Sequence, residues 1–498
     1  MKLFVAQINP VVGAVWANCE LIIQQIELAR KAGADCVVFP QLALSGAPLY
    51  DLLFHRDFVA TCEEALKKIG VATKGITAIV GSPATDGVSV YDAALLFHDG
   101  QEIGRQHDVF WCWEVAGKRI GLIVGSAAMP EMPEKADIIV HIASSPWSMG
   151  HPGVRFRSVS ARAKPFGLPY LFVNVVGAND GWIFDGNSFY CNSEGEKRWQ
   201  ARAFAETSAL VEEGVFLVET RTSMDELHRA LLLGISDFYR KQKVPKAIVA
   251  LSGGIDSSVT ATLAVQALGA EHVEGVFCPY AFTSQESRQC VAALEKQLGL
   301  SVRTIPIDPI VEATVQQAGV GKEGLVFENI QSRIRAMLVM ARSNASPSMV
   351  LGTSNKSELA LGYATLYGDL MGALLPLGDL FKTEIYDVAR HLGTVPGAIL
   401  ERVPTAELYP NQKDTDGLPE YARLDPVLRG LVMEGLSPTE LTTITGMGLP
   451  IVQKLARKMY ESEFKRRQGP TVLRVSSRAF GVDAVYPIVN GMGEALFL

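Results

Sequence analysis

Short apolar runs, many of them rich in Val, Ile and aromatic residues, recur along the first 220 residues of the chain. They predict buried strands at residues 3–8, 36–39, 77–81, 93–98, 119–124, 138–142, 170–175, 188–191 and 209–212. Apolar residues at helical spacing predict helices at 17–31, 59–69 and 153–164. Because few helical crossovers separate the consecutive strands, the pattern indicates a layered α/β sandwich.

The pattern changes near Met224, where strands and helices begin to alternate. Strands are predicted at 247–251, 272–278, 301–306 and 349–352, and helices at 224–241, 258–268, 284–298 and 328–343. Regular alternation is typical of a doubly wound parallel sheet. We therefore expect two domains, 1–220 and 224–498, with a boundary at 218–224. A loop is predicted at 404–426, which is rich in Pro, Asp and Gly.

Composition narrows the class of protein. The 498 residues are 48% hydrophobic and 20% charged, and a net charge of −7 lacks the basic footprint of a nucleic-acid-binding protein. The chain has no apolar run of the ~18 residues that a membrane-spanning helix needs, and residues 1–10 are too short and polar for a signal peptide. Seven widely spaced cysteines without a C-x-x-C motif favour a reducing cytoplasm over a disulfide framework or a zinc site.

The strand predicted at 247–251 leads directly into the sequence S-G-G-I-D-S-S, and a helix is predicted to follow. Two glycines let backbone N–H groups approach an anion, and the helix start adds positive partial charge. Asp256 fits a Mg²⁺ that bridges to phosphates, because a direct contact would bring like charges together. The alternative is a junction of small residues that serves packing alone. The segment resembles the ATP-pyrophosphatase loop, which makes the ATP-binding candidates Leu251, Ser252, Gly253, Gly254, Ile255, Asp256, Ser257 and Ser258.

Six further motifs follow along the chain. They are E-N-I-Q-S-R-I-R at 328–335, G-T-S-N-K-S-E at 352–358, G-Y-A-T-L-Y-G-D at 362–369, L-F-K-T-E at 380–384, P-T-A-E-L at 404–408 and F-K-R-R-Q at 464–468. In this order they resemble the NAD synthetase family over about residues 225–490. The resemblance implies an α/β ATP-pyrophosphatase domain that dimerises. It also implies ATP-dependent amidation of deamido-NAD to NAD through an acyl-adenylate, with release of AMP and pyrophosphate.

The same resemblance assigns roles to single residues. Asp256 and Glu358 match magnesium ligands, and Lys382 completes the expected catalytic set. Contacts to ATP are implied for Thr353, Lys382 and Thr405, and contacts to deamido-NAD for Asn329, Arg333, Glu358 and Lys465. The residue types fit, because carboxylates hold Mg²⁺ and lysines neutralise phosphate charge. Taken singly, each has a structural alternative, such as a helix cap for Asn329 or a solvated helix-start lysine for Lys382.

The N-terminal half resembles a nitrilase-type glutaminase domain, through A-Q-I-N-P at 6–10, F-P-Q-L-A-L-S-G at 39–46 and N-D-G-W-I-F-D-G-N-S at 179–188. That chemistry requires a Glu base, a Lys and a Cys thiolate. Gln41 stands at the Glu position and Gly125 at the Cys position, and the segment that would carry the Lys is missing between residues 108 and 110. Ser126 and Cys112 are the possible substitutes, but Gln41 cannot act as their base.

We therefore expect a cytoplasmic, homo-oligomeric ligase that uses ATP, Mg²⁺, deamido-NAD and free ammonia, with no membrane or nucleic-acid partner. The glutaminase-like domain is then expected to hold the oligomer together or to bind a regulator. Two alternatives stay open. One is glutamine-dependent synthesis with unusual residues or a separate ammonia donor, and the other is a non-catalytic scaffold protein.

Overall fold

The computed structural model describes residues 1–107, 112–125, 136–212, 214–215, 222–409, 412 and 418–492. Contacts divide the chain into two compact units, Met1–Ser223 and Met224–Leu498. The boundary expected at 218–224 lies largely outside the described residues. None of the helices in the described ranges is long and apolar enough to cross a membrane.

The first unit contains fourteen described strands and three described α-helices. The strands are β1 (Leu3–Gln7), β2 (Cys36–Val38), β3 (Thr77–Thr85), β4 (Val90–His98), β5 (Gln101–Gln106), β6 (Cys112–Val115), β7 (Lys118–Val124), β8 (Ile138–Ala143), β9 (Tyr170–Asn174), β10 (Val176–Asn179), β11 (Trp182–Asp185), β12 (Phe189–Cys191), β13 (Lys197–Gln200) and β14 (Thr207–Leu210). The helices are α1 (Val15–Lys31), α2 (Arg56–Ala72) and α3 (His151–Ala163).

This unit has two six-stranded sheets, in the orders β14-β1-β2-β3-β4-β5 and β13-β12-β9-β8-β7-β6, and a two-stranded sheet of β10 and β11. Successive side chains of β1 point to opposite faces of the first sheet, which explains the layering. Leu3 and Val5 belong to the core that also contains Leu122 of the second sheet, whereas Phe4 packs in the core under α1 and α2. Val159 of α3 belongs to a core with residues of the second sheet. The predicted sandwich is confirmed as an α/β/β/α arrangement.

The second unit is built on one sheet of six strands, β15 (Lys246–Leu251), β16 (Val273–Phe277), β17 (Ser301–Thr304), β18 (Ser348–Leu351), β19 (Leu374–Leu375) and β20 (Thr471–Val472). Their order is β17-β16-β15-β18-β19-β20 and every neighbouring pair is parallel. The order reverses between β15 and β18, and crevices at such switch points hold ligands in doubly wound sheets. The predicted doubly wound sheet is confirmed.

Twelve described α-helices surround this sheet. They are α4 (Ser223–Gln242), α5 (Ile255–Leu268), α6 (Gln285–Leu298), α7 (Asp308–Ala318), α8 (Gly324–Asn344), α9 (Lys356–Leu361), α10 (Lys382–Leu392), α11 (Gly397–Glu401), α12 (Tyr421–Arg429), α13 (Pro438–Thr445), α14 (Leu449–Glu461) and α15 (Glu463–Arg466). The prediction of a loop at 404–426 is wrong at its C-terminal end, because α12 begins at Tyr421 and includes Pro426. Buried Leu424, Val427 and Leu428 outweigh the proline there. Residues 410–411 and 413–417 lie outside the described residues.

Candidate active site

A cavity of about 610 Å³ opens at the carboxyl ends of β15 and β18. Thirteen of the residues selected from the sequence line it, namely Leu251, Ser252, Gly254, Ile255, Asp256, Ser257, Asn329, Arg333, Thr353, Glu358, Lys382, Thr405 and Lys465. Gly253 and Ser258 are not among its described lining residues. Ser258 is fully buried, and its hydroxyl donates to the Gly254 carbonyl oxygen at 2.8 Å. Its contact to ATP therefore stays a prediction that the hydroxyl's orientation does not favour.

The loop after β15 is shaped by its glycines. Gly253 has φ +80°, and a Cβ there would lie 2.8 Å from the Ser287 carbonyl oxygen, so only glycine fits without strain. Gly254 caps α5, and its N–H donates to Ser252 Oγ at 3.2 Å. The first turn of α5 lines the cavity, and the N–H groups of a helix start, which have no partner within the helix, can bind phosphate oxygens there.

Three charged side chains converge beside this loop. The Lys382 ammonium forms an ion pair with Asp256 and lies 3.8 Å from Glu358 Oε1. Asn355 Nδ2 donates to Asp256 Oδ1 at 3.1 Å, while the Asn355 side chain accepts from the N–H of Glu358. Lys382 is nearly buried, whereas both carboxylates keep some exposure to the cavity. The convergence of Asp256, Glu358 and Lys382 is what the sequence motifs predict.

Asp256 and Glu358 would supply only part of the ligand set of a Mg²⁺ ion. Within the described ranges, no group of three His, Cys, Asp or Glu side chains could hold a metal ion. Mg²⁺ normally keeps several waters and binds through one or two carboxylates together with substrate phosphates. Two carboxylates beside a phosphate-binding loop match that donor set, so the residues fit an ion that arrives with a nucleotide.

The residues expected to contact deamido-NAD surround the segment 362–369. Asn329 Oδ1 accepts from Thr365 Oγ1 at 2.8 Å, and Arg333 Nε donates to the Leu366 carbonyl oxygen at 3.1 Å. Lys465 Nζ donates to two backbone carbonyl oxygens of this segment, each at 2.7 Å. Desolvation lowers the pKa of Lys465. All three side chains thus hold the wall of the cavity, in addition to any contact with a substrate.

Arg335 and Glu407 are two of the lining residues that were not selected from the sequence. Arg335 is half-buried, its Nε donates to the Cys278 carbonyl oxygen at 3.0 Å, and desolvation lowers its pKa. Glu407 accepts from Arg402 Nη2 at 2.6 Å and from Ser287 Oγ at 2.8 Å. Both lie inside the motifs already quoted, at 328–335 and 404–408. Their positions within those motifs could have identified them, but the resemblance assigned roles to other residues of the motifs.

In the first unit, both polar atoms of the Gln41 side chain form hydrogen bonds. Its Nε2 donates to Asp92 Oδ2 at 2.8 Å, and its Oε1 accepts from the N–H of Ser144 at 3.0 Å. The Ser144 hydroxyl also donates to the Gln41 carbonyl oxygen at 2.8 Å. Burial raises the pKa of Asp92. A carboxamide at this position satisfies Asp92, whereas a carboxylate would repel it.

Gly125 lies directly against the Gln41 amide. A Cβ at Gly125 would lie 2.8 Å from Gln41 Nε2, and the residue has φ +62°. Its carbonyl oxygen accepts from His141 Nε2 at 2.6 Å, and His141 Nδ1 lies 2.8 Å from the Tyr170 hydroxyl. Burial lowers the pKa of His141 to about 4, so the imidazole is neutral at pH 7. Gln41 and Gly125, at the positions where the sequence resemblance implies a base and a nucleophile, have no ionisable side chain.

The possible substitutes for the missing nucleophile are only partly described. Ser126 lies outside the described residues. Cys112 begins β6, where it pairs with Gly121, and burial raises the pKa of its thiol. A raised pKa disfavours the thiolate that nucleophilic attack requires.

Both units are similar to known proteins. The family model described as NAD synthase matches residues 227–469. The chain is 36% identical to a glutamine-dependent NAD(+) synthetase of Synechocystis, with 97% of this chain and 98% of the relative covered. A relative of the same name from Xanthomonas campestris is 34% identical, with 99% and 98% covered.

Solved structures agree over the full length. A glutamine-dependent NAD+ synthetase from Acinetobacter baumannii, in complex with ADP, is similar with a TM-score of 0.76 and 30% identity, and 98% of each chain is covered. One from Cytophaga hutchinsonii has a TM-score of 0.86 at 18% identity, with 99% and 98% covered, which supports the fold alone.

Proposed function

This chain belongs to the glutamine-dependent NAD(+) synthetase family, and we propose that it makes NAD from deamido-NAD and ATP with free ammonia as its nitrogen donor. In the first step the nicotinate carboxylate attacks the α-phosphorus of ATP, and pyrophosphate leaves. In the second, ammonia attacks the carbonyl carbon of the acyl-adenylate, loses a proton, and expels AMP.

The residues of the cavity have distinct roles in this proposal. The N–H groups at the start of α5 bind the leaving pyrophosphate, and Lys382 neutralises the charge that develops on it. Asp256 and Glu358 would hold Mg²⁺, which supplies further charge neutralisation to the phosphates. Asn329, Arg333 and Lys465 also line the cavity, and they would orient deamido-NAD. Arg335 adds a half-buried positive charge to the cavity lining, which favours an anionic substrate.

The observation that carries the choice of ammonia is the contact between Gln41 and Gly125. Release of ammonia from glutamine by this class of domain needs a thiolate and a carboxylate base within reach of each other. Gly125 offers no side chain, and the amide of Gln41 is already bonded to Asp92 and Ser144. Since an amide cannot take up a proton at neutral pH, the pair supports no attack on glutamine.

The names of the relatives favour the alternative, in which glutamine is the donor. That alternative requires a nucleophile elsewhere, such as Ser126, or a glutaminase supplied by another protein. A purely non-catalytic scaffold is a third possibility, against which the convergence of Asp256, Glu358 and Lys382 argues.

One assay separates the three. Purified protein receives deamido-NAD, ATP and Mg²⁺ with either ammonium or glutamine, and NAD is measured. We expect turnover with ammonium, none with glutamine alone, and recovery with glutamine when an unrelated glutaminase is added. In a second arm, amide-¹⁵N-labelled glutamine competes with unlabelled ammonium. Label in the NAD formed by the chain alone would overturn ammonia dependence, and no turnover with either donor would indicate the scaffold.

A further inference from the structure

The helices that carry Glu358 and Lys382 meet at one buried carboxylate, that of Asp425. Ser357 Oγ donates to Asp425 Oδ1 at 2.6 Å, and the N–H of Thr383 donates to Asp425 Oδ2 at 2.8 Å. The N–H of Lys382 in turn donates to Ser357 Oγ at 3.0 Å. The hydroxyl of Ser357 therefore uses both its donor and an acceptor site, and it joins the start of α9 to the start of α10.

The residue before Ser357 is anchored as firmly. Lys356 is fully buried, and its ammonium lies 2.7 Å from Asp379 Oδ1 and 2.9 Å from Ser476 Oγ. Asp379 Oδ2 also accepts from the N–H of Val475 at 2.8 Å. Two consecutive side chains of α9 are thus fixed to buried carboxylates. Glu358, the third, is directed toward the cavity.

We infer that Ser357 and Asp425 are positioning residues that set the separation between Glu358 and Lys382. The inference rests on the proposed function, because it takes Glu358 and Lys382 as the groups that act on ATP. Neither Ser357 nor Asp425 is among the described residues that line the cavity, and both are buried. Their effect on the reaction must therefore pass through the two helix starts that they connect.

Loss of the shared hydroxyl has a specific cost. Without Ser357 Oγ, Asp425 Oδ1 and the N–H of Lys382 each lose a hydrogen bond inside the protein, which is costly for buried polar groups. The helix starts then shift to recover partners. A displacement of about 1 Å at reacting groups can cost roughly 100-fold in rate even when the mutated residue lies away from the chemistry.

The test compares four variants in the adenylation step alone, measured as deamido-NAD-dependent exchange of labelled pyrophosphate into ATP without ammonia. Ser357→Ala removes the shared hydroxyl, Ser357→Thr keeps it, and Asp425→Asn removes one acceptor without changing the size of the side chain. Asp237→Asn is the matched control, because Asp237 is an equally buried aspartate of the same unit whose ion pairs are with Arg240 and Lys241 on α4.

We expect Ser357→Ala and Asp425→Asn to lower kcat by about 10- to 100-fold while the KM for ATP changes by less than about threefold. Ser357→Thr should keep most of the wild-type kcat. Asp237→Asn should lose thermal stability with no loss of kcat, which a melting curve of each variant records.

The outcomes distinguish the two proposals. Wild-type protein without exchange activity would refute the proposed function, and with it the roles of Glu358 and Lys382. Active wild-type protein with full kcat in Ser357→Ala or Asp425→Asn would refute the positioning role alone. The positioning role would also fail if the KM for ATP rose while kcat stayed constant. If Ser357→Thr does not fold, the size-matched Asp425→Asn variant decides.

Discussion

Each unit has a cluster of polar side chains at the place where its domain is expected to carry out a reaction. In the second unit this is the cluster around Lys382, and in the first it is the cluster around Gln41. At Lys382, opposite charges converge on an open cavity, and Asp256 and Glu358 keep part of their surface exposed to it. At Gln41, an amide is bonded on both of its polar atoms, and the neighbouring residue has no side chain. This difference fits the proposal that the cluster around Lys382 is catalytic and the cluster around Gln41 is not.

The largest effect is expected from Asp256→Asn. The change removes the charge that pairs with Lys382 and one of the two proposed magnesium ligands, so adenylation should fall by about 1,000-fold. Pyrophosphate exchange measures it, and a melting curve confirms folding. The matched control is Asp92→Asn in the other cluster, where ammonia-dependent turnover should stay at the wild-type level. Equal losses in both variants would erase the proposed contrast between the clusters.

The phosphate loop could be predicted from sequence because its residues are contiguous and lie between a strand and a helix. The meeting of Asp256, Glu358 and Lys382 was also predictable, since each falls in a separate recognisable motif. The contact between Ser357 and Asp425 was not, because 68 positions separate them and Asp425 lay in a segment whose Pro, Asp and Gly content predicted a loop. Likewise, nothing local connects Gln41 with Asp92, which lies 51 positions away on β4.

The next prediction asks whether glutamine use can be introduced at the cluster around Gln41. The double variant Gln41→Glu/Gly125→Cys reinstates the residue types of a glutaminase, yet we expect no glutamine-dependent NAD formation. The carboxylate introduced at position 41 would face Asp92 across a distance now bridged by a hydrogen bond, and a cysteine at φ +62° would crowd that side chain. Stability should fall by about 1–3 kcal/mol, as denaturant unfolding would show.

Glutamine-dependent NAD formation by that double variant would contradict this prediction. It would mean that only two residues separate the cluster around Gln41 from an active glutaminase site. The single variant Gly125→Cys is the matched control. It keeps the neutral amide opposite Asp92, so it should lose less stability than the double variant.

A smaller effect is expected from Gln41→Ala. The substitution leaves Asp92 Oδ2 and the N–H of Ser144 without their partner, which should cost about 1–3 kcal/mol of stability. Turnover with ammonium should stay within about twofold of the wild-type rate, because the change touches no group of the synthetase cavity. A steady-state assay with saturating ammonium measures it. A large loss of turnover in a folded variant would indicate that the first unit still shapes the synthetase site.

The smallest effect is the pH dependence that Asp92 gives to stability. Burial raises its pKa in the folded protein, so its contribution to stability is present below the pKa of the unfolded chain and is lost as pH rises through the folded-state pKa. Asp92→Asn removes this term. Its stability relative to wild type should therefore increase as pH rises from about 4 and then level off.

Asp86, on the turn before β4, provides a control of opposite sign. Hydrogen bonds from the N–H groups of Ser89 and Val88 lower the pKa of Asp86, so its contribution is present above the unfolded-state pKa and is lost as pH falls. Asp86→Asn should therefore lose stability relative to wild type as pH rises over the same acid range. Denaturant unfolding at a series of pH values measures both slopes. Slopes of the same sign would mean that the pKa of Asp92 is also lowered in the folded protein, which would contradict its burial beside Gln41.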